Sequence, residues 1–580
     1  MAVKASLATA AEWVVAPLPQ AAVALATAGF SPRLAALLAR RGVADAEAAE
    51  RFLHPTLDQL HAPALLAGMT EAVARLLEAR RRGERVAIVG DYDVDGVSST
   101  ALLLASFTAC GIAAEAILPH RLEEGYGFQP VHVERAQAQG ARLIVTADCG
   151  SSSVAAAERA HSLGIDVVVT DHHLPGCALP SEVIQINPRQ AGCTYPFPDL
   201  AAVGLALKLA LALAAGCGRR LSSDSLLRVA CLGTIADLVP LLGENRVIAS
   251  LGLAALAGSR SEGLKALIRQ SGMKPPFTAA DVGYRLGPRI NAAGRLHTPE
   301  QALELLMSRD PRRAADLALQ LEGWNRQRQA EEARVVEEAT AVLSARRPLP
   351  SILVAWSPGW HRGVVGVAAG RIARDLGRPT LLLGADSSLE DGGEMLTGSG
   401  RSIPGIELHS FLARWGSRME RFGGHAQAVG LTVARERAEE LRREWEAAAA
   451  EWPAERFVRR LEVEVEVTPA EIGHDLLAEL ARLEPHGQGN PQPLLRTGPL
   501  RLDGVPRLFG NGHLAAHARG EDGAPVELVG WRWQARASAF GGRFEVVGFL
   551  EKDGYTGGPV IRLVDCRPLP PGEPGSGAIE

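Results

Sequence analysis

The stretch Arg85-Val86-Ala87-Ile88-Val89-Gly90-Asp91-Tyr92-Asp93-Val94-Asp95-Gly96 joins an apolar run to three closely spaced acids. The apolar run is typical of a buried strand, and the Ser/Thr cluster that begins at Ser98 predicts the start of a helix. The acids therefore lie at the carboxyl end of a strand, where open α/β sheets bind ligands. If the strand continued, Asp91, Asp93 and Asp95 would share one face and repel one another. A divalent cation would relieve this repulsion; the alternative is a solvated acidic turn.

The alternation of short apolar runs with Ala/Leu-rich segments continues to about residue 240. Runs at 142–146, 165–170 and 183–186 predict further strands, and 151–163 predicts a helix between the first two of them. Strands that alternate with helices are typical of a parallel, doubly wound sheet.

The pattern changes twice after this segment. Residues 311–345 predict one long helix, most simply a connector, and a second α/β segment follows it. From residue 460, strictly alternating strands with a helix at 469–483 predict a small β-barrel of the oligonucleotide-binding type. The aromatic residues of the barrel that could stack on bases include Phe509, Trp531, Trp533 and Phe540, although core packing is the expected role of most.

Composition excludes several classes of protein. The net charge is −5, so a phosphate-bearing partner must be held by local arginines or metal ions rather than by a basic surface. Seven cysteines without Cys-x-x-Cys spacing argue against a disulfide framework or a zinc-thiolate site, and they favour the cytoplasm. The apolar run 201–216 is short for a membrane span and has Lys208 at its centre, so it predicts a core helix and no membrane association.

Further metal-type ligands follow three other predicted elements. Asp148 and the triplet Asp171-His172-His173 each follow a strand, and Asp237 closes an apolar helix. Any single Asp at such a place is more often a helix cap or a turn residue, but their joint occurrence favours a site. Carboxylates mixed with imidazole suit Mn²⁺ or Mg²⁺. Because these ligands exceed the needs of one ion, the sequence predicts two ions that share a carboxylate and activate water against a phosphodiester.

On these residues the chain resembles the DHH phosphoesterase superfamily, which is named after the triplet found here as Asp171-His172-His173. Within it, the chain is most similar to the bacterial exonucleases that are specific for single strands, and the similarity extends from about residue 52 to about residue 564. The segments that carry this similarity are 52–57, 65–69, 120–127, 287–295, 360–366 and 423–428.

The resemblance implies an α/β fold in which a two-lobed DHH/DHHA1 phosphoesterase core, joined by a long connector helix, is followed by a C-terminal OB-type β-barrel. The implied domains are an N-terminal segment without assigned role (1–51), the DHH catalytic domain (52–310), the connector helix (311–345), the DHHA1 substrate-binding domain (346–452), the OB-fold nucleic-acid-binding domain (453–567) and a disordered tail (568–580).

The resemblance also implies a role for each site residue. The ligands of one ion would be Asp93, Asp148 and Asp91, and those of the other would be Asp95, Asp148, His172 and Asp237. The groups near the scissile phosphate would be Arg289, Asn291, His361 and His425. His173 would either support the metal ligands from behind or contact the phosphate itself. The groups that hold the 5′-terminal phosphate would be Ser399, Arg401, Arg121 and Tyr126.

The function implied is a metal-dependent exonuclease that degrades single-stranded DNA from the 5′ end to mononucleotides, in DNA repair and recombination. Its expected cofactors are two Mn²⁺ or Mg²⁺ ions, and its expected partners are single-stranded DNA, a RecQ-type helicase and a single-strand-binding protein. The chain is expected to act as a monomer in the cytoplasm. Two alternatives remain: a phosphoesterase of short oligonucleotides or cyclic dinucleotides, and a non-catalytic scaffold that binds single strands.

Overall fold

A computed structural model describes residues 11–120, 124, 127–176, 178–385 and 394–570. The chain forms two compact units. The first unit consists of Glu50–Ala330 and Glu484–Pro491, and the second of Met1–Ala49, Glu331–Leu483 and Gln492–Glu580. Among the helices in the described part of the chain, none is both long enough and apolar enough to cross a membrane.

The first unit is built on a five-stranded sheet whose strands are all parallel, as the sequence predicts. The order across the sheet is Ala113–Ile117, Arg85–Gly90, Ala141–Ala147, Asp166–Thr170 and Ile184–Ile186. The edge strand Ala113–Ile117 has no strong strand signal because alanine and glutamate disfavour strands, and pairing with Arg85–Gly90 compensates for this.

Helices cover both faces of this sheet. Along the strand Arg85–Gly90, Val86 and Ile88 point into one apolar core, whereas Ala87 and Val89 point into another. This double burial explains why the strands are apolar throughout instead of alternating. The main helices of the unit are Met69–Arg82, Val94–Ala109, Pro130–Ala138, Val154–Ser162, Ala202–Gly216, Ser223–Ala236, Gly243–Ala257, Glu262–Ser271, Gly287–Leu296 and Glu300–Met307.

The predicted connector is a single helix, Pro311–Ser344. Its first half buries Leu317 and Leu321 in the core of the first unit. Its second half buries Val335 and Leu343 in a core of the second unit. The boundary between the units falls inside this helix, after Ala330.

The second unit contains a mixed five-stranded sheet. Its order is Arg421–His425, Ala428–Ala434, Met395–Arg401, Thr380–Ala385 and Leu353–Ser357, and only the last two strands are parallel to each other. The helices that belong to this part are Arg362–Leu376, Leu408–Leu412 and Arg435–Ala449.

The predicted β-barrel is present in the second unit. Leu495–Leu502 pairs with both Phe544–Lys552 and His513–Gly520, and this double pairing closes five strands into a barrel. The strands of this sheet are Val465–Val467, Leu495–Leu502, Arg507–Phe509, His513–Gly520, Pro525–Gly530, Phe544–Lys552 and Pro559–Pro568. Residues 571–580 of the predicted disordered tail lie outside the described residues.

Two details of this region differ from the sequence prediction. The alternating run 460–467 is not one strand, because it divides at Glu464 into Arg460–Val463 and Val465–Val467. The Glu464 carboxylate lies 3.1 Å from Arg41, and the two halves pair with different strands. The helix predicted at 469–483 is also broken, because Gly473 separates a single turn from the helix His474–Ala481.

The N-terminal segment, to which the sequence assigned no role, completes this unit. Glu12–Val15 forms a parallel pair with Arg460–Val463. The indole of Trp13 donates a hydrogen bond to Asp565 at 2.8 Å. The segment therefore contributes to the same fold as the barrel, although these partners lie 448 or more residues away in the chain.

Candidate metal centre

The strand ends of the first unit bring predicted ligands to one edge of the sheet. Asp91, Asp148 and Asp171 each follow the last residue of a strand. The amide of each donates a hydrogen bond to the neighbouring strand, at 3.1, 3.0 and 3.2 Å respectively. The hydrogen bonding between neighbouring strands therefore continues one residue beyond each strand. It places the three acids side by side at the carboxyl ends of the strands.

The acids after the first strand do not share one strand face. The helix begins at Val94, so the prediction that it starts near Ser98 is wrong. Asp93 caps the helix, because its Oδ1 accepts the amides of Asp95 at 2.9 Å and Gly96 at 3.1 Å. Such a cap satisfies amides that have no partner within the helix, and this favours an early helix over a longer strand.

Asp95 also anchors a second helix. Its carboxylate accepts the amides of Ala202 at 2.8 Å and Val203 at 2.9 Å, where the helix Ala202–Gly216 begins. A negative charge at a helix N-terminus is stabilised by the unpaired amides there. The sequence could not indicate this contact, because the partners are 107 and 108 residues away.

The predicted ligands form three overlapping groups. In each group, one potential ligand atom per residue lies within 4.8 Å of the others. The groups are Asp91, Asp93 and Asp148; Asp148, His172 and His173; and Asp95, His172 and Asp237. Asp148 and His172 each belong to two groups, so neighbouring cations could share Asp148.

The polar atoms at the centre of these groups fit a cation. Oδ1 of Asp148 lies 3.3 Å from Nε2 of His172, and that nitrogen lies 3.5 Å from Oδ2 of Asp237. Among the described residues, neither Asp148 Oδ1 nor the His172 ring nitrogens have a hydrogen-bond partner of good geometry, although all are buried. Buried polar atoms are costly when they lack partners, and a hard divalent cation would supply one for carboxylate oxygens and imidazole.

The electrostatics of the cluster favour the uptake of positive charge. Burial and the charge of Asp93 raise the pKa of Asp95 to about 7. Burial, with Asp95 and Asp93, raises the pKa of Asp237 to about 8. Burial and the nearby carboxylates also raise the pKa of Asp148 well above its ordinary value. Burial and the charge of His173 lower the pKa of His172 to about 3, so His172 is a neutral imidazole, the form that binds metals.

His173 has a different environment because Asp171 holds it. Nδ1 of His173 lies 2.7 Å from Oδ1 of Asp171, and that carboxylate also accepts the amides of Ser151, His172 and His173. Burial opposes both charges, but this pairing outweighs it and places the pKa of Asp171 at about 2 and that of His173 at about 9. Asp171 therefore orients a cationic His173, a role that we did not predict from the sequence.

Arg289 and Asn291 lie on a helix that packs against the acidic turn. A Cβ atom at Gly294 would lie only 2.5 Å from the Tyr92 carbonyl oxygen, so glycine permits this close approach. Asn291 is one turn before Gly294, on the same side of the helix. Nε of Arg289 lies 2.7 Å from Oε2 of Glu322 on the connector helix.

The predicted phosphate-binding residues of the second unit share one sheet face. Ser399 pairs with Gly430, and Arg401 and His425 both pair with Ala428. Residues directly opposite in antiparallel strands point to the same side, so these three side chains share a face with the small residues Ala428 and Gly430. The structure thus brings together Ser399, Arg401 and His425.

The remaining predicted residues of the site are placed differently. His361 caps the helix Arg362–Leu376, because its Nδ1 accepts the Gly363 amide at 3.1 Å. Burial lowers the pKa of His361, so its ring is neutral and carries its proton on Nε2. Arg121 and Tyr126 lie outside the described residues.

Three segments of the chain match known protein families. Residues 85–234 match the N-terminal domain of the DHH family, residues 349–451 the DHHA1 domain, and residues 463–564 the RecJ OB domain. The single-stranded-DNA-specific exonuclease RecJ of Dickeya dadantii is 39% identical over 512 residues, which cover 84% of this chain and 87% of that protein. The chain belongs to the RecJ family. The RecJ of Bacillus subtilis is 37% identical, and this chain spans 63% of its length.

Solved RecJ structures agree with this assignment. The crystal structure of Thermus thermophilus RecJ in complex with Mn²⁺ has a TM-score of 0.79 at 30% identity, over 97% of this chain and 80% of that one. The Mg²⁺ complex of the same protein has a TM-score of 0.75 at 28% identity. The two-lobed core and terminal barrel predicted from the sequence are therefore confirmed as the RecJ architecture.

The raised pKa values predict how pH affects the stability of this RecJ-family protein when it holds no metal. Asp95 and Asp237 keep protons near neutral pH when folded but release them near pH 4 when unfolded. The stability that they contribute is therefore fully present below about pH 4 and is lost progressively as pH rises to about 7 to 8. We expect the melting temperature in EDTA to fall from about pH 5 to about pH 8, and saturating Mn²⁺ to remove much of this fall. Calorimetry under both conditions would test this, and a fall of equal size with Mn²⁺ would contradict it.

Proposed function

We propose that the chain is a metal-dependent exonuclease that removes nucleotides from the 5′ end of single-stranded DNA. The observation that carries this proposal is the buried cluster of carboxylates and imidazole in which Asp148 belongs to two ligand groups. A shared carboxylate suits a pair of divalent cations. The names of the RecJ relatives, which are single-stranded-DNA-specific exonucleases, support the choice of substrate.

The ligand groups support the assignment of the acids to two separate cations. We assign Asp91, Asp93 and Asp148 to one cation, and Asp95, Asp148, His172 and Asp237 to the other. When bound, the cations would supply an activated water and neutralise charge on the phosphate. Asp95 can serve as a ligand although it accepts two amides, because each carboxylate oxygen has two lone pairs.

Three residues of the first unit would bind the scissile phosphate. The cationic His173, held by Asp171, would attract the phosphate oxygens. Asn291 would donate a hydrogen bond, and the planar guanidinium of Arg289 would stabilise charge that develops on the phosphate. We retain His361 and His425 of the second unit as further candidates for this role.

Ser399 and Arg401 would bind the 5′-terminal phosphate. A Cβ atom at Gly366 would lie 3.1 Å from both Oγ of Ser399 and Nη2 of Arg401, so only glycine leaves room beside these groups. A hydroxyl and a guanidinium on one sheet face suit a phosphate monoester. The same resemblance that suggests this pocket adds Arg121 and Tyr126 to it.

Arg401→Ala should reduce the preference for a phosphorylated 5′ end. The lost charge-assisted hydrogen bonds correspond to a fall of about tenfold or more in the ratio of phosphorylated to hydroxyl substrate cleaved. Initial rates on the two substrates measure this ratio. Arg437→Ala, which removes an exposed arginine of the same unit, serves as the control. An unchanged ratio in Arg401→Ala would exclude this pocket.

The barrel offers a surface on which bases could stack. Trp533 and Phe540 are buried in its core, as we expect for most of its aromatics. Trp531, by contrast, is 54% exposed, and its ring lies 5.9 Å from Phe509 and 4.8 Å from His513. Exposed aromatic clusters bind single strands because every base has a face that can stack.

Trp531→Ala should therefore weaken the binding of a single strand by about 1–3 kcal/mol. Fluorescence anisotropy with a labelled oligonucleotide in Ca²⁺ or EDTA would measure the affinity without cleavage. Tyr555→Ala is the matched control, since Tyr555 is a fully exposed aromatic residue of the same barrel. Equal affinities for the two variants would contradict a stacking role.

A direct test of the proposed function uses single strands labelled at either end. With Mn²⁺ or Mg²⁺, the purified chain should release labelled mononucleotide at once from the 5′-labelled strand and only late from the 3′-labelled strand. A blunt duplex should resist cleavage, and EDTA should stop it. Equal or faster cleavage of dinucleotides would favour the short-oligonucleotide alternative, and binding without cleavage at any metal concentration would favour the scaffold.

We further propose that the enzyme works as a monomer in the cytoplasm with a RecQ-type helicase and a single-strand-binding protein. An exonuclease restricted to single strands needs another protein to unwind its substrate. The cysteines in the described part of the chain are all free thiols, as in a reducing compartment. Co-purification with and without DNA would test the partners.

A further inference from the structure

The connector helix carries a buried ion pair beside the proposed phosphate site. Nε of Arg289 and Oε2 of Glu322 lie 2.7 Å apart, and both side chains are largely buried. The other oxygen of Glu322 accepts a hydrogen bond at 2.7 Å from Arg326, whose side chain is largely exposed. Glu322 therefore faces one arginine on the inside and one on the outside.

The guanidinium of Arg289 is restrained from two sides. Its Nη1 donates to the Arg285 carbonyl at 2.6 Å, within a π-helical turn that precedes the helix Gly287–Leu296. Its Nε lies 2.7 Å from Oε2 of Glu322 on the other side, an ion pair without the angle of a hydrogen bond. Local π turns are frequent at functional sites, and the hydrogen bond and the ion pair together restrict the orientation of the guanidinium.

Stability alone does not explain this pair. The buried residues that precede Glu322 in this helix are apolar and include Leu317 and Leu321, whereas Asn325 and Arg328 after it are buried and polar. A buried ion pair is commonly no more stabilising than apolar residues of similar size, because both charges lose their hydration. A carboxylate that fixes the direction of an arginine, however, reduces the reorganisation needed when the arginine meets a phosphate.

We infer that Glu322 is a positioning residue that orients Arg289 toward the scissile phosphate. The inference rests on the proposed function, because it requires Arg289 to contact that phosphate. Glu322 acts through Arg289 and does not itself touch the substrate, since a carboxylate would repel it. Its effect should therefore appear in the cleavage step and depend on the presence of Arg289.

A double-mutant cycle tests this inference. Glu322→Gln keeps the size of the side chain and removes its charge. In the presence of Arg289 it should slow single-turnover cleavage about tenfold, and the affinity for the strand should change by less than about twofold. In an Arg289→Ala background, where cleavage should already be about 10²–10³-fold slower, the same change should have an effect of less than about twofold.

Controls separate the possible failures. Glu304→Gln removes another ion pair of the same unit, with Arg313, and should leave cleavage unchanged. If Glu322→Gln does not fold, Glu322→Asp, which keeps the charge but shortens its reach, enters the same cycle. An equal loss in both backgrounds, or no loss with Arg289 present, would overturn the inference. If Arg289→Ala cleaves at the normal rate, the proposed role of Arg289 fails as well.

Discussion

Asp148→Asn is expected to lower the rate of strand cleavage at least a thousandfold, or about 4 kcal/mol in transition-state stabilisation. Asp148 belongs to two of the three ligand groups, so its loss would impair the binding of both cations. The change should not disturb the fold, because Asp148 has a left-handed backbone with φ of 67° and asparagine tolerates that conformation. Removing a carboxylate whose pKa is strongly raised should make the metal-free protein at least as stable as before.

Three measurements complete the test of Asp148→Asn. Single-turnover cleavage with Mn²⁺ gives the rate, calorimetry gives the number of bound ions, and anisotropy gives the affinity for the strand, which should be largely retained. Asp166→Asn is the matched control, because Asp166 is an exposed acid at the other end of a strand in the same sheet. Near-normal turnover in Asp148→Asn would refute the shared-ligand assignment.

Glu244→Ala is expected to lower the free energy of unfolding by about 3–5 kcal/mol. The Glu244 carboxylate accepts hydrogen bonds from the Lys208 ammonium, the Tyr195 hydroxyl at 2.6 Å and the His61 amide at 2.8 Å. All of these atoms are at least partly buried, and Lys208 is 1% exposed. Alanine would leave an uncompensated buried charge and two further donors without their acceptor.

The contribution of the charge itself can be separated from that of packing. The double variant Lys208→Met/Glu244→Leu removes both charges and keeps the volume, but it still leaves the Tyr195 hydroxyl and the His61 amide without their acceptor. It should therefore be about 1–2 kcal/mol more stable than Glu244→Ala, and the remaining loss relative to the parent reports those two donors. Urea titration of both variants gives the two free energies. A loss below 1 kcal/mol in Glu244→Ala would show that water or other groups replace the carboxylate.

Lys208 illustrates how far sequence reasoning extends. A lysine at the centre of an apolar run was enough to predict a core helix, and the helix Ala202–Gly216 confirms this. The partner of the lysine was not predictable, because Glu244 lies 36 residues away on another helix. A buried charge requires a partner, but its position along the chain does not identify which one.

The same limit applies to the candidate centre. Strand ends in a parallel sheet converge, so the positions of Asp91, Asp148 and the Asp171-His172-His173 triplet could be predicted from apolar runs alone. The helix start at Val94 could not, because a cap and a continued strand compete locally for Asp93. The orienting role of Asp171 was also missed, although its place directly before two histidines was the available signal.

The sequence by itself determined the parallel sheet, the acids at its edge, the long connector and the barrel, because these depend on periodicities of a few residues. Only the tertiary structure decided which carboxylate anchors a helix, which orients a histidine and which aligns an arginine. Asp95 accepts a hydrogen bond from Ala202, and Arg289 forms an ion pair with Glu322, because separate helices pack together. Such contacts between distant residues leave no local pattern, since packing of whole elements brings them together.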